Sequence, residues 1–305
     1  MEINEVINLL CTQIPNENIL MNEPMKNHTS FKIGGPADLF VMPTDCTQLV
    51  SAVQLCNAHN IPYYIVGNGS NLLIDDKGFR GVIIQLYKNL SDIEIEDTVI
   101  TADSGALLSK IANVAFEHGL AGFEFAQGIP GTLGGAVAMN AGAYGGEIQD
   151  VIIDAQVIDQ KGQKITLSKE DLALGYRTSI IQKNKYIVLK ARLLLSRGSK
   201  TAISEIMKDL AGRRRDKQPL EKPSAGSTFK RPEGYFAGKL IMDAGLRGYQ
   251  IGGAMVSTKH CGFVVSDGTA TFKDVKALID HIQLTVKEKF NVDLQPEIKI
   301  ISNQG

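Results

Sequence analysis

A glycine-rich and nearly uncharged stretch from Gly119 to Gly146 limits the folds open to this 305-residue chain more than any other feature. It holds nine of the chain's 30 glycines, and Glu124 is its only formal charge. Glycine lets the backbone approach a ligand closely, and the exposed N–H groups of such loops bind phosphate. The stretch therefore predicts an anionic ligand held by backbone amides, with no need for lysine.

A second uncharged loop, Gly67–Leu73 (GNGSNLL), follows the apolar run Ile61–Val66, which is typical of a buried strand. A Rossmann dinucleotide site is disfavoured, because Leu72 replaces the third glycine and no acidic residue follows near Lys88. Read alone, the loop fits a tight turn between two strands equally well. Paired with the first stretch, it predicts two loops that wrap one diphosphate.

Close packing of a helix against a loop is the alternative explanation for the glycines of the longer stretch. Packing alone does not require glycine at Gly128, Gly131, Gly134 and Gly135 together. We therefore favour a ligand.

Composition excludes several classes of protein. The chain is 44% apolar and 21% charged with a net charge of −1, so it predicts a globular protein without a nucleic-acid or membrane partner. No segment resembles a secretory signal or a membrane span. The four cysteines form no CxxC pair, which indicates buried or half-buried reduced thiols, no metal site and a cytoplasmic location.

Hydrophobic periodicity predicts an α+β fold with capped helices. The predicted helices are an N-terminal one with Ile3, Val6, Ile7 and Leu10 on one face, one capped by Asp45, one capped by Ser104 and ending at Gly119, one over 203–210, and Phe272–Phe290 capped by Thr271. The predicted strands are a glycine-broken pair within 30–42, then 61–66, 81–86, 93–96, 98–102, 151–158, 164–167, 186–195 and 297–301.

Six motifs together carry a resemblance to a known family. They are NHTSFKIGGPA (27–37), GNGSNLL (67–73), GIPGTLGGAVAMNAGAYGG (128–146), YRTS (176–179), AGSTFK (225–230) and QPEI (295–298). In this order and over nearly the whole chain, they resemble the UDP-N-acetylenolpyruvoylglucosamine reductases. The chain resembles the shorter class, which lacks an added loop carrying a tyrosine.

The resemblance implies a vanillyl-alcohol-oxidase-type (PCMH) FAD-binding domain followed by a smaller αβ substrate domain. We expect the FAD-binding domain over 1–197, in two subdomains of about 1–67 and 68–197. The substrate-binding domain is expected over 198–291, and a C-terminal strand over 292–305 is expected to carry Glu297 back to the flavin domain. The residues implied to hold FAD are Gly67, Asn68, Gly69, Ser70, Asn71, Leu72, Gly128, Ile129, Pro130, Gly131, Thr132, Gly134, Gly135, Ala136, Asn140, Gly142 and Ala143.

The implied reaction is NADPH-dependent reduction of UDP-N-acetylglucosamine enolpyruvate to UDP-N-acetylmuramate, on the route to peptidoglycan. Hydride goes from flavin N5 to the methylene carbon, and charge building on the carboxylate must be stabilised while C2 takes a proton. By resemblance, Arg177 is the cation, Glu297 the acid at the carboxylate and Ser227 the proton donor. Read alone, they would be a surface arginine, an exposed carboxylate and a turn serine.

The substrate diphosphate is expected to meet part of a basic set of residues: Arg213, Arg214, Lys217 and Lys230. The alternatives are a solvated helix face for the basic run and, for Lys230, assistance to Ser227. Without a Rossmann site, NADPH is expected to share one face of the flavin with the substrate in turn. We expect a monomer.

Two other functions stay open at the sequence level. An oxidase of the same fold often carries histidine or cysteine in the first loop for covalent flavin attachment, and Gly67–Leu73 has neither, which favours non-covalent FAD. A binding module without turnover would be expected to lack Arg177, Ser227 or Glu297, and all three are present.

Overall fold

The computed structural model describes residues 3–302, without the side chains of Ile3 and Asn4. The predicted inward position of Ile3 and the end of the predicted segment 292–305 therefore lie outside the described residues. The chain forms two compact units. The first comprises the chain up to Met21, Leu39–Asn68 and Gly81–Arg213, and the second comprises Asn22–Asp38, Gly69–Arg80 and the chain from Arg214 onward.

The helices and strands of residues 3–302 mix throughout the chain, which confirms the predicted α+β class. The helices are α1 (Ile3–Cys11), α2 (Cys46–Ala58), α3 (Leu108–Glu117), α4 (Leu133–Met139), α5 (Ile148–Val151), α6 (Ile180–Asn184), α7 (Lys200–Lys217), α8 (Ala237–Asp243) and α9 (Phe272–Phe290). The strands are β1 (Ile19–Pro24), β2 (Pro36–Val41), β3 (Tyr63–Val66), β4 (Leu72–Ile74), β5 (Phe79–Gln85), β6 (Ile93–Glu96), β7 (Val99–Asp103), β8 (Leu120–Ala121), β9 (Gly142–Ala143), β10 (Gly146–Glu147), β11 (Ile152–Ile158), β12 (Lys164–Ser168), β13 (Ile187–Leu194), β14 (Ser196–Arg197), β15 (Gln250–Ile251), β16 (Ala254–Val256), β17 (Val264–Ser266) and β18 (Lys299–Ile301).

The first unit is built around a five-stranded sheet in the order β12-β11-β13-β7-β6, antiparallel throughout. Its core includes Ile100, Leu133, Val157 and Leu193, all with no exposed surface. A second apolar cluster contains Leu49 of α2 and residues of β3 and β5, which run parallel within a four-stranded sheet in the order β1-β2-β5-β3. These two cores hold the loops that follow β3 and precede α4.

The second unit packs α8 and α9 with the sheet β15-β16-β17 and with the parallel pair β4–β18. Leu73 of β4 and Leu278 of α9 are completely buried in its core, and Phe229 is 3% exposed. The pairing of β18 with β4 gives the last strand a fixed register, Lys299 opposite Leu72.

Two predicted helix caps are confirmed. The Asp45 side chain accepts from the N–H groups of Thr47 (2.7 Å) and Gln48 (2.9 Å) at the start of α2. Thr271 accepts from Asp274 N–H at 3.1 Å, and Asp274 accepts from Thr271 N–H at 3.0 Å, which lowers the pKa of that carboxyl. Each cap satisfies N–H groups that the helix cannot satisfy itself.

The prediction that Ser104 caps a helix was wrong. Residues 104–106 form a turn, because Ser104 N–H donates to Leu189 O (2.8 Å), Gly105 N–H to Leu90 O (2.8 Å) and Ala106 N–H to Asp103 O (3.0 Å), and α3 begins only at Leu108. The glycine-broken strand pair within 30–42 is also wrong. Only β2 forms there, because Lys32 (φ 59°) and Gly34 (φ 139°) turn the backbone away from a strand conformation.

The cysteines agree with the predicted reduced and partly buried thiols. All four are free, with Cys56 and Cys261 buried and Cys11 and Cys46 partly exposed. Burial raises the pKa of the Cys56 thiol to about 12, so this group stays protonated and unreactive at neutral pH.

Replacing Thr271 with alanine should destabilise the second unit by about 1 kcal/mol, because the capping box at α9 loses its side-chain acceptor. Thermal unfolding of the wild type and of Thr271→Ala measures this. Thr271→Ser, which keeps the hydroxyl, is the matched control and should unfold near the wild-type temperature. An alanine variant as stable as wild type would show that the cap contributes nothing.

Candidate active site

The beginning of the first glycine loop meets the second loop within the first unit. Asn68 Nδ2 donates to the carbonyl oxygen of Pro130 at 2.9 Å. A Cβ atom on Gly67 would lie 2.2 Å from Thr132 Oγ1, so only glycine allows this approach. Since Gly67 follows directly on β3, the position of the loop is set by the sheet.

The second loop is also bonded to the start of α3 and to the turn that precedes it. Leu108 N–H donates to Gly131 O (3.1 Å), and Gly134 N–H donates to Ser104 O (2.8 Å). A Cβ atom on Gly134 would lie 2.8 Å from Ser104 Cβ, so packing explains this glycine. Packing does not explain Gly135, whose Cβ atom would have Thr132 Oγ1 at 4.0 Å as its nearest neighbour.

Several backbone N–H groups of these loops have no hydrogen-bond partner. Within residues 3–302 none is found for the N–H groups of Gly67, Asn68, Gly131, Thr132 and Gly135. Unpaired N–H groups of neighbouring residues in a glycine-rich loop form a binding site for an anion. The residues present therefore fit a diphosphate held by backbone amides.

The rest of the first loop belongs to the second unit. Gly69 has φ 64°, and a Cβ atom there would lie 1.9 Å from His28 O, while its own carbonyl accepts from Ser30 N–H at 3.1 Å. The motif around residues 28–30 therefore supports the loop. In the part of the chain that the structure describes, the N–H groups of Gly69 and Ser70 also have no partner.

The segments that carry Ser227 and Glu297 lie side by side in the second unit. Phe229 and Pro296 form an antiparallel bridge, Glu297 N–H donates to Thr228 O (2.8 Å), and Asn71 Nδ2 donates to Glu297 O (3.2 Å). The structure thus brings together two predicted catalytic segments and the first loop.

Ser227 is held in an exposed position by its neighbours. Ala225 and Thr228 are buried, Gly226 adopts φ 78°, and the Ser227 side chain is exposed. Thr228 fixes the turn, because its N–H donates to Gly262 O (2.8 Å) and its Oγ1 accepts from Val264 N–H (2.9 Å). The Ser227 side chain is therefore exposed on a turn whose backbone is fixed by hydrogen bonds.

Arg177 lies in the first unit, in a turn with left-handed backbone (φ 55°). Its guanidinium donates to Asn140 O (Nη1, 3.4 Å) and Gly142 O (Nη2, 3.2 Å), and it stacks on the Tyr176 ring at 5.2 Å. These contacts hold a planar cation of the kind that binds carboxylates.

The four residues of the predicted basic set differ in exposure and in hydrogen-bond partners. Arg213 is paired with Asp209 at 2.9 Å on the exposed face of α7, Lys217 is exposed, and Arg214 is 8% exposed. Lys230 N–H donates to Gln295 O at 2.8 Å, so Lys230 is attached to the Glu297 segment. The helix is longer than predicted and includes the whole basic run.

Comparison with known families gives two matches. The model of the FAD-binding domain family matches residues 37–168, and the model of the UDP-N-acetylenolpyruvoylglucosamine reductase C-terminal domain matches residues 218–301. The reductase of Caldanaerobacter subterraneus subsp. tengcongensis is 54% identical over 94% of both chains. The chain belongs to the UDP-N-acetylenolpyruvoylglucosamine reductase family. A Clostridium botulinum member is 55% identical over 96% of this chain and 95% of its own.

Solved structures agree with this family. The reductase from Thermus caldophilus is 33% identical, has a TM-score of 0.80 and covers 93% of this chain and 98% of its own. The glucose dehydrogenase Phl p 4.0202, at 17% identity and TM-score 0.51 over 64% of this chain and 44% of its own, shares the fold alone. As a member of the reductase family, the chain is an oxidoreductase with an FAD-binding domain, which confirms the predicted fold, enzyme class and flavin cofactor.

Other features of the site were missed at the sequence level. Glu147 and Gln149 bond to Asn140 behind Arg177, and Gly262 supports Thr228. Of these three residues, only Gly262 has a residue type, glycine, that could have drawn attention to its position in the sequence. Within residues 3–302 no helix is long and apolar enough to cross a membrane, and no cluster of metal-ligating side chains occurs.

Replacing Gly135 with alanine should weaken FAD binding by about tenfold or more without destabilising the fold, because the protein leaves room for the methyl group and a closely bound diphosphate does not. Gly212→Ala in α7 is the matched control, since a Cβ atom there meets nothing within 4 Å and no loop of the site is near it in sequence. Both variants should gain about 0.5–1 kcal/mol of helix stability. FAD titration of the apoprotein and thermal unfolding measure the two effects, and unchanged FAD affinity in Gly135→Ala would remove this loop from the cofactor site.

Proposed function

We propose that this chain is an NADPH-dependent flavoenzyme that reduces UDP-N-acetylglucosamine enolpyruvate to UDP-N-acetylmuramate in peptidoglycan precursor synthesis. The observation that carries the proposal is the pairing of segments 228–230 and 295–297, which holds an exposed Ser227 beside the segment of Glu297 in a member of the reductase family. That arrangement is what protonation of a substrate beside its carboxylate requires.

The two glycine loops would hold FAD through their unpartnered backbone N–H groups. When bound, FAD supplies the hydride, from N5, that the methylene carbon of the enolpyruvyl group accepts. The absence of histidine and cysteine from Gly67–Leu73 supports non-covalent binding.

Residues of this chain stabilise the charge on the substrate carboxylate and supply the proton to C2. Arg177 stabilises the charge that develops on the substrate carboxylate, and Glu297 donates a hydrogen bond to that group. Ser227 donates the proton that C2 takes as the methylene carbon accepts hydride. Lys230 either assists Ser227 or contacts the substrate.

The substrate diphosphate is expected to meet cations of the set Arg213, Arg214, Lys217 and Lys230. Residues 198–291 are proposed as the substrate-binding part, 1–197 as the FAD-binding part, and 292–305 as the segment carrying Glu297. The C-terminal-domain match over 218–301 supports a separate substrate part. A net charge of −1 supports an enzyme without nucleic-acid or membrane partners, and four cysteines without a CxxC pair support a cytoplasmic location. We propose that the enzyme acts as a monomer.

Product analysis tests this function. Purified protein incubated with NADPH and UDP-N-acetylglucosamine enolpyruvate should yield a product heavier by one hydride and one proton, detected by mass spectrometry. Acid precipitation of the same protein should release yellow FAD into the supernatant. Oxidation of NADPH with unchanged substrate would contradict the proposed activity, and colour that stays with the unfolded pellet would contradict non-covalent binding.

A further inference from the structure

Asn140 is a fully buried polar side chain near Arg177, and it has hydrogen bonds on both its nitrogen and its oxygen. It has no exposed surface and ends α4 in the left-handed conformation (φ 45°), which asparagine tolerates better than most residues. Its Nδ2 donates to Glu147 Oε2 (2.9 Å) and Gly175 O (3.3 Å), and its Oδ1 accepts from Gln149 N–H (2.9 Å). The polar atoms of this side chain are thus occupied inside the protein.

The partners of Asn140 are themselves fixed. Glu147 caps α5, where its side chain and that of Asp150 form a capping box, and its other carboxylate oxygen accepts from Gln149 Nε2. Since a buried amide and a carboxylate are costly to leave unpaired, this network has few alternative arrangements. It holds the backbone from Asn140 to Gly142 in one conformation.

The Arg177 guanidinium is hydrogen-bonded to this backbone. The carbonyl oxygens of Asn140 and Gly142 accept from Nη1 and Nη2 of Arg177, and Gly175, whose carbonyl accepts from Asn140 Nδ2, lies two residues before it. The Asn140 side chain therefore contacts both the loop under the guanidinium and the turn that carries Arg177.

We propose that Asn140 is a positioning residue for Arg177, and that the network of Asn140, Glu147 and Gln149 sets the orientation of the guanidinium toward the substrate carboxylate. This inference deepens the proposed function and rests on it, since it requires Arg177 to act on substrate. It replaces the expectation that Asn140 holds FAD, because a fully buried side chain with its polar atoms bonded inside the protein is poorly placed to bind a cofactor.

Replacing Asn140 with glycine keeps the left-handed backbone and removes only the side-chain bonds. The displaced guanidinium should slow reoxidation of the reduced flavin by substrate about ten- to a hundredfold, while FAD affinity and flavin reduction by NADPH change by about twofold or less. Asn291→Gly is the matched control, because Asn291 also ends a helix with left-handed backbone (φ 54°) but is exposed. Loss of FAD with a normal substrate step in the flavin-loaded fraction would overturn the proposal.

A double-mutant cycle with Arg177→Ala separates positioning from general damage. If Asn140 acts through Arg177, adding Asn140→Gly to Arg177→Ala should slow the substrate step by about twofold or less. A further loss as large as in the wild-type background would overturn the proposal. If Asn140→Gly does not fold, Glu147→Gln gives the same cycle, because glutamine offers one acceptor where the carboxylate offers two. A substrate step that Arg177→Ala leaves unchanged would instead contradict the proposed function.

Discussion

Replacing Ser227 with alanine should leave flavin reduction by NADPH intact and slow flavin reoxidation by the enolpyruvyl substrate about 10²- to 10⁴-fold, the usual contribution of a general acid. The side chain is exposed, and within residues 3–302 its hydroxyl has no hydrogen-bond partner, so alanine removes a proton donor and no internal contact. The bonds of Thr228 that fix the turn stay in place.

Stopped-flow absorbance follows the two half-reactions separately, and the NADPH half-reaction serves as the control for folding and FAD content. Thermal unfolding of Ser227→Ala should match that of the wild type. Equal slowing of both half-reactions would mean that Ser227 supports the flavin site, and the proton donor would then have to be sought elsewhere.

Replacing Arg177 with alanine should slow the substrate half-reaction about 10²- to 10³-fold, the scale expected when a group that stabilises developing negative charge is removed. Arg177→Lys should retain a part of the rate, because it keeps the charge and loses the planar fork. Arginine, lysine and alanine share the same penalty for the left-handed backbone at this position, so the comparison isolates the side chain.

Rapid mixing of reduced enzyme with increasing substrate separates binding from chemistry for these variants. A loss confined to the maximal rate indicates an interaction made in the transition state, whereas a loss confined to apparent affinity indicates an attraction present throughout. Alanine and lysine variants that react as fast as the wild type would exclude Arg177 from the substrate carboxylate.

The elements that follow local rules were predictable from the sequence. The helices α2 and α9 have clear apolar periodicity and side-chain caps, Asp45 and Thr271, that need no distant partner. Ser104 has the residue type of a cap, yet its backbone is bonded to Leu189 in a distant strand. Such long-range bonds override a local signal and cannot be read from the local sequence.

In the candidate site, too, the features set by local sequence were predictable and those set by long-range contacts were not. The glycine loops were visible because unusual backbone geometry requires an unusual composition, as the close approach of Gly67 to Thr132 shows. The bridge between Phe229 and Pro296 joins segments far apart in the chain, and without the family resemblance nothing in either segment indicates the other. The support of Arg177 by Asn140 was hidden for a similar reason, since it depends on three-dimensional packing.

The most direct test of the proposed reaction is a single turnover without oxygen. Protein with its flavin reduced by one equivalent of NADPH is mixed with UDP-N-acetylglucosamine enolpyruvate in an anaerobic cuvette, and flavin absorbance is followed. We expect full return of the yellow colour as UDP-N-acetylmuramate forms, and a much slower return in Ser227→Ala. Flavin that stays bleached with this substrate until oxygen is admitted would contradict the proposed reaction.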